Sequence, residues 1–594
     1  MMKYQKIKNY WQSLGIVLIL DFILELVLKG LRIINTALLL RAEVPITSLV
    51  NIKRIIDTHP LVAGSIVVEL LLLWLFLIIM LAALMIGLVT IVNGQSWHQS
   101  WYQLRRAVQH IRFKTMLIFL VDFIVLTPIF SVAFRTPLLT MIRIPEFILD
   151  YGTRKWWLYV LTIIIYIISW PIAVRNLYIW SLVNISGQPI NQASVQSKQL
   201  TRNGRWQRMA WQLGAVLVSA GLVSWAVNSL LYGIQYWFQP NNQWFSTISL
   251  VIAEIVALML CTWTLMEWTV QVTHVNGHQV ARPLINGWTA VALIIMIFSA
   301  GMMIKQYFAR QSLKMPMTVS HRGVTDRNGV QNSITALKRT SRKYHPDYVE
   351  MDIHETKDHQ FVVMHDEKLR KLAGVNKRPG QLTLQQLEDL SIHENGQRSK
   401  VASLSDYLSA ADAVHQKLII ELKTTQYDSP DAIQRFNRQY GQLIVHRHYI
   451  VHSLDYNAVH QLHRLNPQMK VLYLQAYNFT NPVSQVSGFN NEYSTLNSRF
   501  IDAAHHHHQI VYAWTVNNRG AMRQLYNQQV DGIVTDHLAE LQTTLRQVNH
   551  QQNRARRFWN YLNPIANLPN NYGSMLTGIG EQPMPVFCLS FFPK

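Results

Sequence analysis

The sequence predicts two fold classes in succession: an α-helical multi-span membrane domain over residues 1–310, then an α/β domain of the TIM-barrel type, (β/α)8, over residues 311–550, with a tail over residues 551–594. Three observations predict it. Up to about Phe308 the chain is dominated by long apolar runs, whereas from Ala309 onward charged, His, Asn and Gln residues are scattered throughout. From about Pro316 short apolar strands alternate with amphipathic stretches, the pattern of repeated βα units around a parallel sheet. Several of those strands end in histidines and carboxylates, and a parallel barrel builds its site from the carboxy-terminal ends of its strands.

A chain of 594 residues exceeds what one hydrophobic core supports, since cores stop growing at roughly 250–300 residues. The 49% hydrophobic and 15% charged composition is therefore an average over two regions that meet different solvents. A formal net charge of +21 raises the question of nucleic acid. Many of the basic residues sit in short loops between apolar runs, where topology selection accounts for them, and no nucleic-acid motif accompanies them. The expected partners are the lipid bilayer and an anionic lipid or polymer, not nucleic acid. Cys261 and Cys588 offer neither a disulfide framework nor metal-ligand spacing.

In the amino-terminal region seven stretches are long and apolar enough to cross a bilayer: Leu14–Leu31, Leu61–Val92, Met116–Phe134, Trp156–Val183, Met209–Phe238, Ile248–Val272 and Trp288–Phe308. Asp21, Glu25 and Lys29 recur at helical spacing in the first, which equally fits a helix lying in the interface. With seven crossings the two ends of the domain lie on opposite sides. Loops on the amino-terminal side carry more Lys and Arg, among them Lys3, Lys6, Lys8, Arg105, Arg106 and Arg202, than those on the other, among them Arg32, Arg41 and Arg135. This bias predicts a multi-pass protein of the cell membrane with an extracytoplasmic carboxy-terminal domain. Glu69, Asp122, Arg175, Glu254 and Glu267 within the runs are costly in lipid and are expected to pair with neighbouring helices or to line a path.

The second region has nine candidate strands: Met317–Ser320, Tyr348–Ile353, Phe361–His365, Leu418–Leu422, Tyr449–Ser453, Val471–Gln475, Tyr493–Leu496, Ile510–Thr515 and Gly532–Thr535. Only Lys357-Asp358-His359 joins the second to the third, too short for a crossover helix, so these two form one hairpin-like excursion from a single barrel position.

The first strand ends in His321-Arg322-Gly323, a proton-transfer group beside a cationic fork suited to phosphate. Glu350 and Asp352 alternate with Met351, and a strand's period of two puts both carboxylates on one face. Two converging carboxylates repel unless a cation or a proton stands between them. A solvent-exposed strand face is the alternative, and a barrel strand normally buries both faces. Phe361 to Met364 delivers His365-Asp366, a second imidazole able to share acid and base roles with the first. Leu418 to Lys423 repeats the alternation, placing Glu421 and Lys423 on one face. His505 to His508 form a run whose expected place is an exposed loop before the following strand, and His354 shares the strand face of Glu350 and Asp352.

In this order, His321-Arg322-Gly323, Glu350-Met351-Asp352, Val362-Val363-Met364-His365-Asp366 and Ile419-Ile420-Glu421-Leu422-Lys423 resemble the glycerophosphodiester phosphodiesterase family. Trp514-Thr515-Val516-Asn517 and Asp531-Gly532-Ile533-Val534-Thr535-Asp536 are similar to two further motifs of that family, and the resemblance covers roughly Pro316–Leu541. The amino-terminal half resembles the multi-span membrane domain attached to such enzymes in some Gram-positive bacteria. The resemblance implies that His321 and His365 are the general acid and base and that Glu350, Asp352 and Glu421 bind one divalent cation. It also implies that Arg322 and Lys423 hold the phosphate and that Trp514 lines the pocket against glycerol. All-oxygen ligation suits Ca²⁺ or Mg²⁺. Val330-Gln331-Asn332-Ser333 departs from the family's Pro-Glu-Asn-Thr, and Gln331 removes a negative charge near the site.

The implied activity is hydrolysis of a glycerol-containing phosphodiester to an alcohol and glycerol phosphate. Deacylated lipids and teichoic-acid polyglycerolphosphate are the candidate substrates. Phospholipase-like cleavage of lipid head groups, and a membrane transporter or sensor whose barrel only binds ligand, are the alternatives. The tail carries Arg554, Arg556, Arg557 and Trp559 before turning rich in Pro, Asn and Gly, a composition that fits contact with the membrane surface or disorder.

Overall fold

The computed structural model describes residues 2–41, 55–133, 156–238, 243–273, 290–304 and 314–550, apart from positions 94, 96, 110, 204, 292, 296, 299, 303, 477–481 and 483. The expected tail over 551–594, with Cys588, lies outside the described residues.

The regular elements among the described residues of the amino-terminal half are all helices. Among the described residues four helices are long and apolar enough to cross a membrane: Pro60–Asn93, Trp156–Asn184, Arg205–Trp237 and Trp244–Thr273. Each coincides with a stretch expected from sequence. The expected first span lies inside one 40-residue helix, Met2–Arg41, whose Asp21, Glu25 and Lys29 dilute its hydropathy. The expected third falls on the 21-residue helix Phe113–Ala133. Much of the seventh lies outside the described residues, and Leu293–Met302 within it is a shorter apolar helix.

Several ionisable groups in this half have partners on neighbouring helices. Asp122 accepts hydrogen bonds from Asn176 Nδ2 at 2.8 Å and Trp180 Nε1 at 2.9 Å. Glu69 Oε1 accepts one from Asn35 Nδ2 at 2.9 Å, and the Arg175 guanidinium stands 5.6 Å from the centre of the Trp206 ring. Pairing of this kind is how a helix bundle tolerates ionisable groups at low dielectric.

The carboxy-terminal half is built on twelve strands: β1 Met317–Ser320, β2 Tyr348–Glu355, β3 Phe361–Val363, β4 Ser391–Glu394, β5 Gln397–Lys400, β6 Ala402–Ser403, β7 Leu418–Leu422, β8 Ile450–Ser453, β9 Lys470–Gln475, β10 Gly488–Glu492, β11 Ile510–Trp514 and β12 Gly532–Thr535. β1, β2 and β7 to β12 are parallel neighbours, and pairing of β1 with both β12 and β2 closes them into an eight-stranded barrel. Helices such as Ile334–Tyr344, capped by Ser333 Oγ accepting from Ala336 N, return the chain between strands.

Alternation along the strands sorts the side chains. Outward positions such as Val349, Met351, Ile420, Val451, Val511 and Ile533 join the helices in the larger core, while Val319, Tyr348, Ile419, Ile450, Leu472, Tyr512 and Val534 fill a layer inside the barrel. Most of the inner positions that come next toward the carboxy-terminal ends are polar, namely His321, Glu350, Asp352, Glu421, His452, Asn490 and Asp536, while Leu474 on β9 and Trp514 on β11 continue the apolar lining. The apolar layer thus forms the floor on which the polar groups stand.

β3 runs antiparallel to β2, pairing Ile353 with Val363, so the expected hairpin-like excursion is present. It continues through the β4–β5 hairpin to β6, which pairs with β3. The strand expected at Tyr493–Leu496 is corrected: Gly488–Glu492 forms the strand, and Tyr493–Thr495 is a 3-10 turn. Its inward positions, Asn490 and Glu492, are polar and hide the strand from a reading based on hydrophobic alternation.

Candidate active site

Register decides which groups meet. β2 lies beside β7 with Asp352 opposite Glu421, and β7 lies beside β8 with Glu421 opposite His452. The three side chains share one rung of the barrel interior, with Glu350 on the same face of β2 one pleat below. All four are buried. One ligand atom from each of Glu350, Glu421 and His452 falls within 4.8 Å of the others.

Two cations stand against these carboxylates. Lys423 Nζ lies 2.6 Å from Glu421 Oε1 and 3.0 Å from Asp352 Oδ1. Arg322 adopts a left-handed φ of 53°, which turns its backbone N–H onto Glu350 Oε2 at 2.8 Å, and its Nε lies 3.8 Å from Asp352 Oδ2. Gly323 follows at φ 69°, where an added Cβ would stand 3.1 Å from Tyr407 Oη. Asn332 locks Asp352 from the other side, donating Nδ2 to its Oδ2 at 2.8 Å and accepting its backbone N–H at 3.1 Å.

The electrostatics follow from this packing. Burial works against the Asp352 carboxylate, but Lys423, His365, Arg322 and the Asn332 hydrogen bond hold its carboxyl well below the usual range. Burial also works against the Lys423 ammonium, and Asp352 and Glu421 more than compensate, holding it charged. Glu421 goes the other way. Burial pushes its carboxyl up, and although Lys423 opposes this, Asp352 and Glu350 add to it. A buried carboxyl raised beside other carboxylates is stabilised in its charged form by any further positive charge brought to it.

Each of the two expected catalytic imidazoles has its Nδ1 on a carboxylate. His321 Nδ1 lies 2.8 Å from Asp536 Oδ1, and Asp536 Oδ2 in turn accepts from Asn517 Nδ2 at 2.7 Å. Burial and Arg322 lower the His321 imidazole, but Asp536 and Glu350 outweigh them and its pKa is raised. His365 Nδ1 lies 2.8 Å from Asp366 Oδ1. Such a contact fixes ring orientation and leaves Nε2 for other work. His365 comes from the excursion after β3, not from a barrel strand, and its backbone oxygen lies 3.3 Å from His354 Nε2. Burial and Lys423 depress the His354 imidazole to about 4, so it stays neutral beside the cations.

A cleft of about 700 Å³ opens here, lined by His354, His365, Glu421 and Lys423 together with Lys368, Arg370 and Lys371. His321 and Glu350 do not line it. Trp514 stands at the end of β11, packs against the inner apolar layer and donates Nε1 to Asn490 O at 3.1 Å. His505, from the histidine run, has its Nε2 2.9 Å from Asp531 Oδ2, ahead of β11 and so at the opposite end of the barrel from the polar rung.

Gln331 is more than a lost charge. Its Oε1 accepts from Arg322 Nη1 at 2.8 Å, while its Nε2 and backbone N donate to the two oxygens of Glu394 at 2.8 and 2.9 Å. A negative charge thus returns one hydrogen bond farther out, from the β4–β5 hairpin. Sequence reasoning did not reach this link, nor His452, nor the orienting carboxylates Asp366 and Asp536. One signal was present for His452: it alternates with Ile450 as Glu421 alternates with Ile419.

Comparison with known proteins gives two family matches. Residues 4–310 match the membrane domain of glycerophosphoryl diester phosphodiesterase, and residues 321–540 match the glycerophosphoryl diester phosphodiesterase family. YhdW of Bacillus subtilis is 28% identical over 234 residues, covering 37% of this chain and 93% of its own. A glycerophosphodiester phosphodiesterase of Bacillus altitudinis is 23% identical over 234 residues, covering 37% of this chain and 95% of its own. Among solved structures, a glycerophosphodiester phosphodiesterase of Parabacteroides distasonis has 26% identity and a TM-score of 0.35, covering 40% of this chain and 99% of that one. An Oleispira antarctica phosphodiesterase, solved with sn-glycerol-3-phosphate as its product, has 18% identity and a TM-score of 0.35, covering 39% of this chain and 97% of that one.

Proposed function

The chain belongs to the glycerophosphoryl diester phosphodiesterases that carry a membrane domain, and from that premise we propose a divalent-cation-dependent hydrolase acting on glycerol-containing phosphodiesters. One observation carries the cation: buried Glu350, Asp352 and Glu421 face the same interior, and among the described residues Lys423 and Arg322 are the permanently charged cations against them. Three formal negative charges against two positive leave one negative, a cost at low dielectric. A divalent cation makes the sum one positive, which a phosphodiester monoanion matches. The donor set fits such an ion, since carboxylate oxygens are its usual ligands.

Glu350, Asp352 and Glu421 are assigned to hold the cation, which supplies positive charge to the phosphate oxygens when bound. Lys423, which lines the cleft, and Arg322 are assigned to orient the phosphate, the guanidinium as a planar fork and the ammonium as a point charge. His321 and His365 divide the proton transfers: one removes the proton of the attacking hydroxyl and the other delivers a proton to the leaving oxygen. Asp536 and Asp366 keep the two rings oriented for this. Trp514 is assigned to the pocket wall against glycerol.

Lys368, Arg370 and Lys371 beside the cleft support a polyanionic substrate, a deacylated lipid head group or a polyglycerolphosphate chain. The loop charges of the membrane half support a barrel on the extracytoplasmic side, where such a polymer is found. Purified full-length protein given Ca²⁺ or Mg²⁺ is expected to release glycerol phosphate from glycerophosphodiesters. His321→Ala and His365→Ala should each lose about 10²–10⁴-fold in turnover. Undiminished turnover in both would overturn the assignment of the site, and release from intact lipid alone would replace the substrate class.

A further inference from the structure

His452 is a buried imidazole to which the proposed chemistry gives no part. It is 2% exposed, and its Nε2 has no hydrogen-bond partner. That nitrogen lies 3.8 Å from Glu350 Oε1, too far for a hydrogen bond. Leaving a buried ring nitrogen unsatisfied beside two carboxylates is costly unless something else occupies the space between them.

The geometry matches a shared ion. Atoms bound to one cation at about 2.1–2.6 Å can be no more than about twice that apart. The atoms offered by Glu350, Glu421 and His452 lie within 4.8 Å of one another. On its far side the ring is held by Asn490, whose Nδ2 lies 3.1 Å from His452 Nδ1 while its Oδ1 has no partner. Half a turn of that amide sets Oδ1 against an Nδ1–H and leaves the Nε2 lone pair directed at the carboxylates. Metal-bound histidines commonly carry such a partner on the other nitrogen, which fixes the tautomer.

We infer that His452 Nε2 is a direct ligand of the divalent cation held with Glu350 and Glu421, so that the site takes a cation that accepts nitrogen, Mn²⁺ ahead of Ca²⁺. The inference rests on the cation proposed above and goes beyond it in naming a ligand from β8 and a metal preference. Imidazole suits borderline transition ions, whereas Ca²⁺ takes oxygen.

The test uses the full-length protein in detergent, stripped with chelator and loaded with Mn²⁺. Pulsed electron paramagnetic resonance should show the modulation of a coordinated imidazole nitrogen in the wild type. In His452→Gln that modulation should vanish, with Mn²⁺ affinity lowered roughly tenfold or more while Ca²⁺ affinity changes far less. Bound Mn²⁺ without nitrogen modulation in the wild type overturns the inference whatever the variants do, and so does a modulation that persists in His452→Gln. Failure of the underlying cation reading looks different: the wild type would bind neither ion, or Glu350→Gln would bind both as tightly as the wild type.

Discussion

Both halves of this protein bury carboxylates, and they do so in opposite ways. In the helical half the buried carboxylate of Asp122 meets two donors, from Asn176 and Trp180, and half-buried Glu69 stands apart from other carboxylates and takes one donor, from Asn35. In the barrel Glu350, Asp352 and Glu421 are stacked on one face, and an unsatisfied imidazole stands beside them. Burial of charge alone is therefore a poor indicator of chemistry. Convergence of like charges that the fold leaves incompletely neutralised is the better one, because only an added ion or substrate completes it.

The sharpest test of the contrast is one substitution on each side. Glu350→Gln should cut turnover by about 10²–10³-fold or more, since it removes a carboxylate assigned to hold the cation that meets the phosphate. Asp122→Ala should leave turnover nearly intact and cost about 1–3 kcal/mol of stability, because it orphans two buried donors. Equal losses of turnover in both variants would break the comparison.

Chelation is the next largest effect. Removing divalent cations should lower the stability of the barrel, and with it the thermal midpoint, by about 2.7 kcal/mol of unfolding free energy relative to protein held at one hundred times the dissociation constant, and leave helical content of the membrane half unchanged. Differential scanning calorimetry with metal added back reads this directly. A smaller effect is expected at the edge of the site. Glu394→Ala removes the acceptor that holds Gln331, and the freed Arg322 should raise KM for a glycerophosphodiester several-fold, about 1 kcal/mol, with kcat little altered.

The smallest concerns Asp428, in the loop after β7, whose carboxyl is pushed up to about 6 by burial, against its hydrogen bonds from Thr425 and with the help of Glu355 and Asp455. Its folded-state pKa exceeds its unfolded value, so its contribution is full at low pH and is lost as pH rises through about 6. Asp428→Asn should flatten the dependence of barrel stability on pH in that window, by about 1 kcal/mol or less given solvent screening. Urea melts at two pH values would check it.

Much of the fold was legible because its signals are local. Met317–Ser320, Leu418–Leu422 and Gly532–Thr535 are short apolar runs with polar ends, and the strands match these bounds. The β3 excursion followed from a connection too short for a helix. What escaped reading depended on distance. His452 enters the polar cluster only because β8 sits beside β7 in one register, and no local spacing carries that information. The Gln331–Glu394 link joins residues in separate elements, and β10 was misplaced because its inward residues are polar where alternation seeks apolar ones.

One feature of the barrel bears on how such enzymes diversify. The framework strands supply the acidic rung, while the segment from β3 to β6 supplies His365, the brace on Gln331 and the basic residues that follow His365 at the cleft. Exchange of that single insert between homologues could therefore retune which phosphodiester is accepted without disturbing the floor of the barrel. Recombination at its two ends offers a shorter route to new specificity than point mutation scattered over eight strands.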